Sequence, residues 1–133
     1  MKLTTHSEYA LLAIFNIARS KEKGYIPLSQ IAQEQKLPVK YMEHLMRAMC
    51  QAGYLASSRG RNGGYRLAKP ANKIVIAEII RLFDGALAPT TSVSTYFYKP
   101  TPLSKEKKII KLLQKIRDYI SDMLETTTLE DVL

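Results

Sequence analysis

Cysteine is almost absent from this sequence, and its absence excludes several kinds of site. The 133 residues contain a single cysteine, Cys50. One cysteine cannot form an intrachain disulfide or an all-cysteine metal site within one chain. This usage is typical of a reducing compartment, so we expect a cytoplasmic protein. The only histidines, His6 and His44, are expected in different helices, and we therefore predict no metal site.

Long apolar runs and catalytic motifs are also missing. No apolar run approaches the roughly 18 residues of a membrane-spanning helix, so no membrane association is expected. The N-terminal segment lacks the small-residue cleavage site of a secretion signal. There is no paired nucleophile and base, no cluster of metal ligands and no glycine-rich phosphate loop that opens a helix. We therefore expect neither an enzyme nor a bound cofactor.

Positive charge is concentrated in the first half of the chain. The net charge is +8, from 20 Lys and Arg against 12 Asp and Glu. Twelve of the basic residues but only four of the acidic ones fall in residues 1–73, whereas residues 74–133 carry eight of each. A basic half indicates a polyanion partner such as nucleic acid, and a balanced half is typical of a surface that binds protein.

Helix signals recur through the first third of the chain. A first helix is predicted to begin near Thr5, because Thr5 and Glu8 have the spacing of a capping box. Residues 9–18 are apolar on nearly every side, which suggests that a second subunit helps to cover this helix. Tyr25-Ile26 is a candidate short strand, and Pro27 begins a short second helix.

A third helix is predicted from about Val39 to Ala52. Pro38 suits its first turn, and Gly53 is a typical stop signal. Its inward side is expected to carry the apolar residues Tyr41, Met42, Leu45, Met49 and Ala52. The opposite side carries polar residues at spacings of three and four, namely Lys40, Glu43, His44, Arg47 and Gln51.

The segment "SSRGRNGGYRL", residues 57–67, is predicted to form a β-hairpin. Its three arginines and three glycines leave little to bury, so it is expected to present its charges to a partner. Asn62-Gly63 is a strong hairpin signal, because both residues tolerate positive φ. The glycines would let the turn approach a ligand closely, with Arg59 and Arg61 at its tip.

The second half of the chain contains two helices joined by a loop. A fourth helix is predicted from about Val75 to Asp84. The proline-containing segment 86–102 has no clear period and is predicted to be a loop. A long helix from about Ser104 follows, with a coiled-coil-like seam. The seam residues repeat as four, three, four, three. They could pack on their own domain, but the length of the helix favours the prediction that they join two subunits: Ile109, Leu113, Ile116, Ile120 and Met123.

This element order predicts a mainly α fold with a small β-hairpin. Helix, short strand, helix, helix and hairpin is the order of a winged helix-turn-helix, here followed by a long C-terminal dimerisation helix. Residues 1–85 would form the DNA-binding domain, residues 86–102 a loop, and residues 103–133 the dimerisation helix and tail. The third helix would enter the major groove of double-stranded DNA, and the hairpin would be the wing.

The predicted DNA contacts come from the first turn, the third helix and the wing. Arginine and lysine suit guanine and phosphate, and glutamate can accept a hydrogen bond from cytosine. A helix N-terminus is a natural phosphate site, although Thr4 could equally be a plain cap. The candidate residues are Thr4, Lys40, Tyr41, Glu43, His44, Arg47, Ser57, Arg59, Gly60, Arg61, Gly63, Gly64 and Tyr65.

In these features the chain resembles the winged-helix regulators of the Rrf2 family. The similarity runs in order through five segments: "MKLTTHSEYALLAIFNIA", "IAQEQKLPVKYMEHL", "AGYLASSRGRNGGYRLAKP", "IAEIIRLFDG" and "TTTLEDVL". The resemblance implies a homodimeric regulator, most simply a repressor, that binds a two-fold-symmetric operator. Family members that sense iron–sulphur status or nitric oxide carry three cysteines in the loop after the fourth helix. The corresponding loop here has none, so we expect no such cluster.

The signal that controls such a regulator is left open by the sequence. The cysteine-free loop resembles family members that respond through a protein partner. The aromatic stretch Tyr96, Phe97 and Tyr98 could line a site for a protein or small-molecule effector, or could simply cover the long helix. A protein-interaction module with secondary DNA binding is the competing function. Cys50 is expected to be a core residue rather than a redox sensor.

Overall fold

Five α-helices and one antiparallel hairpin make up the computed structural model, which describes all 133 residues. Short 3-10 turns fill the connections after the hairpin and end the chain. The elements are α1 (Thr5–Arg19), α2 (Leu28–Gln35), α3 (Val39–Gln51), β1 (Leu55–Ser58), β2 (Gly64–Leu67), α4 (Ile76–Asp84) and α5 (Lys107–Glu125). The order is the predicted one, although α5 begins three residues later than Ser104 because residues 102–105 form a 3-10 turn.

Proline and glycine set most of the helix ends. Pro27 and Pro38 occupy the N-cap positions of α2 and α3, where their missing amide hydrogens cost nothing. Gly53 and Gly85 lie just beyond α3 and α4 with φ of 87° and 77°, which a side chain would disfavour. Lys36 ends α2 in the left-handed region, with φ of 55°.

The N-terminus of α1 is capped one residue earlier than expected. The Thr4 hydroxyl accepts the Ser7 amide at 3.3 Å, so the predicted capping box of Thr5 and Glu8 is wrong. Asp84, at the end of α4, accepts hydrogen bonds from the Thr4 amide at 3.1 Å and from the Thr4 hydroxyl. A contact across 80 residues thus ties α1 to α4, and no local pattern could have predicted it.

The apolar helix α1 is covered by its own chain. It contacts α2, α3, α4 and β2, which enclose it on several sides. Its buried residues are Ser7, Ala10, Ala13, Ile14 and Ile17. Most of α1 is therefore covered without the second subunit that its composition suggested, although Leu12 stays 37% exposed.

Helix α3 buries a different set of residues from the predicted one. Met42, Leu45 and Met49 are fully buried as expected, and Met46 joins them. Tyr41 is exposed over half its surface and Ala52 is exposed, so their inward assignment is wrong. The buried stripe is centred between Leu45 and Met46, and this rotation turns Tyr41 outward.

The hairpin is extended by a third, one-residue strand. β1 pairs with β2, and Ile26 pairs with Tyr65 on the other side of β2 through two backbone hydrogen bonds of 2.8 and 2.9 Å. The expected Tyr25-Ile26 strand is thus a single bridge. The positive φ values belong to Gly60 and Gly64 and not to Asn62-Gly63, because the five-residue connection is too long for a two-residue turn.

The segment 86–102 packs against α5. Leu87, Ala88 and Val93 are buried, and the Arg117 side chain of α5 donates a 2.9 Å hydrogen bond to the Val93 carbonyl. Helix α5 itself has no buried residue. It therefore lies along the edge of the domain, with one face against α4 and segment 86–102 and the other face open.

The C-terminal tail completes the core of the N-terminal half. Leu129 is fully buried in the main hydrophobic cluster, together with residues of α1, α3 and α4. Its amide donates to the Ile74 carbonyl at 2.8 Å, and the Ile76 amide donates to the Thr127 carbonyl at 2.9 Å. The hydrophobic core thus includes residues from both sides of the predicted domain boundaries at residues 85 and 102. The division of function between these parts stays a prediction.

Replacing Leu129 by alanine is expected to lower the free energy of unfolding by about 2–5 kcal/mol, since it leaves a cavity in a closed core. Leu133→Ala is the matched control, because Leu133 is 44% exposed at the chain end. Urea unfolding of both variants checks this. Equal midpoints for Leu129→Ala and Leu133→Ala would show that the tail is not part of the core.

Candidate nucleic-acid interface

Helix α3 presents a largely polar surface on the side away from the core. Its exposed residues include five predicted DNA contacts, together with Val39 and Gln51: Lys40, Tyr41, Glu43, His44 and Arg47. The Lys40 ammonium lies 5.7 Å from the centroid of the Tyr41 ring. This surface combines hydrogen-bond donors with one carboxylate acceptor, the mixture that base edges in the major groove require.

The two histidines, expected to be apart, lie side by side. The His6 ring of α1 meets the His44 ring of α3 edge to face, with 5.7 Å between ring centroids. No group of three histidine, cysteine or carboxylate side chains could hold a metal ion, so the pair has no further ligand. The contact places the first turn of α1 beside the polar surface of α3.

A cleft of about 520 Å³ separates α3 from the hairpin. It brings together eight of the thirteen predicted DNA contacts: Glu43, Arg47, Ser57, Arg59, Gly60, Gly63, Gly64 and Tyr65. Pro27, Leu28, Cys50 and Ser58 complete its walls, and sequence reasoning missed Ser58 and the two residues that begin α2. With two arginines and only one carboxylate, the cleft suits an anionic ligand.

Two side chains that line this cleft also pack against the core. Tyr65 packs against the core, and burial raises the pKa of its hydroxyl. Burial also raises the pKa of the Cys50 thiol, while a hydrogen bond with Ser57 opposes that shift. Cys50 therefore stays a thiol near neutral pH, which does not favour nucleophilic reactivity. Its half-buried position beside the core agrees with the structural role predicted for it.

Arg61 lies outside this cleft. It lines a second cleft of about 460 Å³ on the opposite side of the hairpin, with Lys23 and Tyr25 from the α1–α2 connection. Sequence reasoning missed these two residues, although the "KEKGY" run was a local signal of exposed positive charge. Thr4 lies apart from both clefts, and its hydroxyl is engaged by Asp84 and Ser7.

The open face of α5 differs from the predicted seam. Ile109, Ile116 and Met123 are exposed as expected, but Leu113 is half-buried and Ile120 packs against the domain's own core. The exposed apolar side chains repeat at spacings of three and four, with 36 to 70% of each accessible: Ile109, Leu112, Ile116, Tyr119 and Met123. We call this set the α5 stripe.

The aromatic residues of the loop are also exposed. Tyr96, Phe97 and Tyr98 have 45 to 71% of their surface accessible. The Arg81 guanidinium of α4 stacks over the Tyr96 ring at 5.1 Å and pairs with Glu125 of α5. Tyr96 therefore rests on a polar contact that joins α4 and α5.

The residues of the loop do not fit an iron–sulphur cluster. Segment 86–102 contains no cysteine, histidine or carboxylate, and the lone Cys50 is on α3 in the cleft beside the hairpin. Thiolates and imidazoles are the usual protein ligands of such clusters. No step of the proposed function therefore depends on a cluster.

Comparison with known proteins agrees with this geometry. The model of the Rrf2 family, described as iron-dependent transcriptional regulators, matches residues 3–133. The HTH-type transcriptional regulator CymR of Bacillus subtilis is 32% identical over 132 residues, covering 99% of this chain and 89% of CymR. The regulator IscR of Cronobacter sakazakii is 36% identical over 90 residues, which is 68% of this chain and 56% of IscR.

The fold is likewise that of a solved regulator. The structure of B. subtilis CymR, called there the global cysteine regulator, superposes with a TM-score of 0.79 at 30% identity, covering 99% of this chain and 95% of CymR. The predicted winged helix-turn-helix is thereby confirmed, and so is the prediction that the chain is not an enzyme. The chain belongs to the Rrf2 family of DNA-binding transcriptional regulators.

Proposed function

We propose that this regulator acts as a homodimer on a pseudo-palindromic operator, where it represses transcription without an iron–sulphur cluster. The observation that carries the proposal is the cleft between α3 and the hairpin. Arg47 of α3 and Arg59 of the hairpin both line it. In this arrangement α3 enters the major groove, and the hairpin acts as a wing that reaches the adjacent minor groove.

The α5 stripe supports the dimer. Its 19-residue helix is about 28 Å long at 1.5 Å per residue, and one of its faces has no partner within the chain. A 3-4 repeat of apolar residues is the pattern that packs against a second helix. Two copies joined there would present two recognition surfaces to one duplex, as a two-fold-symmetric operator requires.

Salt titration of duplex binding tests the electrostatic part of the proposal. If six to ten phosphates are neutralised, the affinity is expected to fall by roughly 10³- to 10⁵-fold between 50 and 200 mM salt. A duplex selected from a random pool for binding and one of scrambled sequence are compared. An affinity that hardly changes over this range would remove phosphate contacts from the mechanism.

Arg59→Ala is expected to weaken duplex binding by about tenfold, because one charge-assisted contact is worth about 1.4 kcal/mol or more. The slope of log K against log salt should fall by about 1. Arg59 is exposed at the tip of the wing, so the dimer should be unaffected. Lys105→Ala, in the turn before α5, is the control. Equal affinities for Arg59→Ala and the parent would show that Arg59 of the wing does not contact the duplex.

The exposed loop aromatics favour a second, compatible function as an effector site. Tyr96, Phe97 and Tyr98 are consecutive and exposed, and the Tyr96 ring rests on Arg81, which also pairs with Glu125 of α5. We propose that a protein partner or a small molecule binds here and changes DNA affinity. Cell extract added to the duplex-binding assay tests this with the parent and with Tyr96→Ser/Tyr98→Ser. An extract effect of equal size on both would place the effector elsewhere.

A further inference from the structure

The hairpin of this protein is bordered by two basic clefts, not one. The first lies between α3 and the wing, and the second lies between the wing and the connection from α1 to α2. Pro27 and Gly63 line both clefts, so the N-cap of α2 and the end of the hairpin turn lie between them. The predicted DNA contacts include Arg61 of the second cleft, but Lys23, Tyr25 and Asn62 have no assigned role.

The second cleft is built from groups that donate hydrogen bonds to anions. Lys23 and Arg61 contribute the charge, and Tyr25 and Asn62 contribute a hydroxyl and an amide. None of the seven residues that line it is acidic. Glu22, the nearest carboxylate in the sequence, accepts a hydrogen bond from Gln30 and lines a separate polar groove along α1 and α2. Phosphate oxygens are the natural acceptors for such a set.

The two walls of this cleft are held at a fixed separation. Ile26, next to Tyr25, is bonded to Tyr65 of the wing through both its amide and its carbonyl. The Arg66 guanidinium lies over the Tyr25 ring at 4.7 Å. One residue of the α1–α2 connection, Ile26, is therefore paired with the wing, three residues after Lys23.

The geometry of B-DNA determines which phosphate backbone can reach this cleft. A minor groove is bounded by two phosphate backbones and is about 6 Å wide. When α3 is in the major groove and the wing is in the adjacent minor groove, one backbone passes between α3 and the wing, through the first cleft. The other backbone passes on the far side of the wing, where the second cleft opens.

We propose that the Lys23–Arg61 cleft binds phosphates of this second strand, so that both backbones of the minor groove flank the wing. The proposal rests on the DNA-binding function above and extends its contact surface. Because the wing separates the clefts by a fixed distance, it also makes the width of the minor groove a determinant of affinity. Narrow, A·T-rich grooves would be favoured without any base contact.

Lys23→Gln tests the proposal on the full-length protein. It is expected to weaken binding to specific and scrambled duplexes alike, by roughly five- to tenfold, and to lower the log–log salt slope by about 1. Lys21→Gln is the matched control, since Lys21 has the same charge, is exposed on the same connection, and lines the polar groove instead. Thermal melts of both variants should coincide with the parent's.

Duplexes with single methylphosphonates, which neutralise one phosphate at a time, locate the contact. One position on the far strand should weaken the parent but not weaken Lys23→Gln further. If the parent binds DNA but Lys23→Gln behaves like Lys21→Gln, or if every neutralised phosphate weakens Lys23→Gln as much as the parent, the inference is wrong. If the parent binds no duplex, the proposed function itself fails.

Discussion

Replacing Ile116 by glutamate is expected to convert the protein into monomers and to weaken its binding to a two-fold-symmetric operator by roughly 10²- to 10⁴-fold. Ile116 is at the centre of the α5 stripe, and two copies of the substitution would bring unpaired carboxylates into one apolar interface. The monomer should keep its fold, because no residue of α5 is buried in the domain. Each recognition surface would then bind alone, without the gain from a linked second site.

Sedimentation and duplex titration together check this expectation. Lys115→Glu, at the preceding residue of α5, also places a glutamate on this helix but outside the stripe, and it should leave the dimer intact. Unfolding midpoints separate loss of the dimer from loss of the fold. A dimer of unchanged stability in Ile116→Glu would show that the stripe is not the subunit interface.

Gly64→Ala is expected to lower the free energy of unfolding by roughly 2–4 kcal/mol and to abolish specific duplex binding. Gly64 has φ of 146°, and a Cβ atom there would overlap the carbonyl of Ile26 and the nitrogen of Pro27. The strand pairing of Ile26 with Tyr65 could not form around it. The wing would then lose its fixed position relative to both α3 and Lys23.

Gly60→Ala separates backbone strain from this close approach. Gly60 also has positive φ, of 98°, but a Cβ there would meet open space. It should therefore cost about 1 kcal/mol and leave most duplex binding in place. Urea unfolding and duplex titration of both variants decide the matter. Equal losses for Gly60→Ala and Gly64→Ala would mean that contact with Ile26 does not position the wing.

Local signals predicted the helices and the wing well because their causes are local. Pro38 and Gly53 mark the two ends of α3, and the charged positions at spacings of three and four identify its outward surface. The arginines and glycines of residues 57–67 cannot form a core, so an exposed turn was the only consistent interpretation. Eight of the predicted contacts meet in one cleft for these reasons.

The errors arose where distant parts of the chain decide the outcome. Asp84 selects Thr4 as the cap of α1 from 80 residues away. The hydrogen bond from Arg117 to Val93 helps to set which face of α5 meets the domain, and it leaves Leu112 and Tyr119 outside rather than Leu113 and Ile120. The second cleft was not predicted for the same reason, since its two sides come from separate parts of the sequence.

The central claim is that two identical recognition surfaces act together on one duplex, and selection from a random pool of duplexes tests it most directly. The account predicts enrichment of an inverted repeat whose half-sites are separated by about one helical turn, roughly 10 base pairs, or a multiple of it. The bound complex should contain two chains per duplex. Enrichment of a single asymmetric half-site with one chain bound, or no enrichment at all, would contradict it.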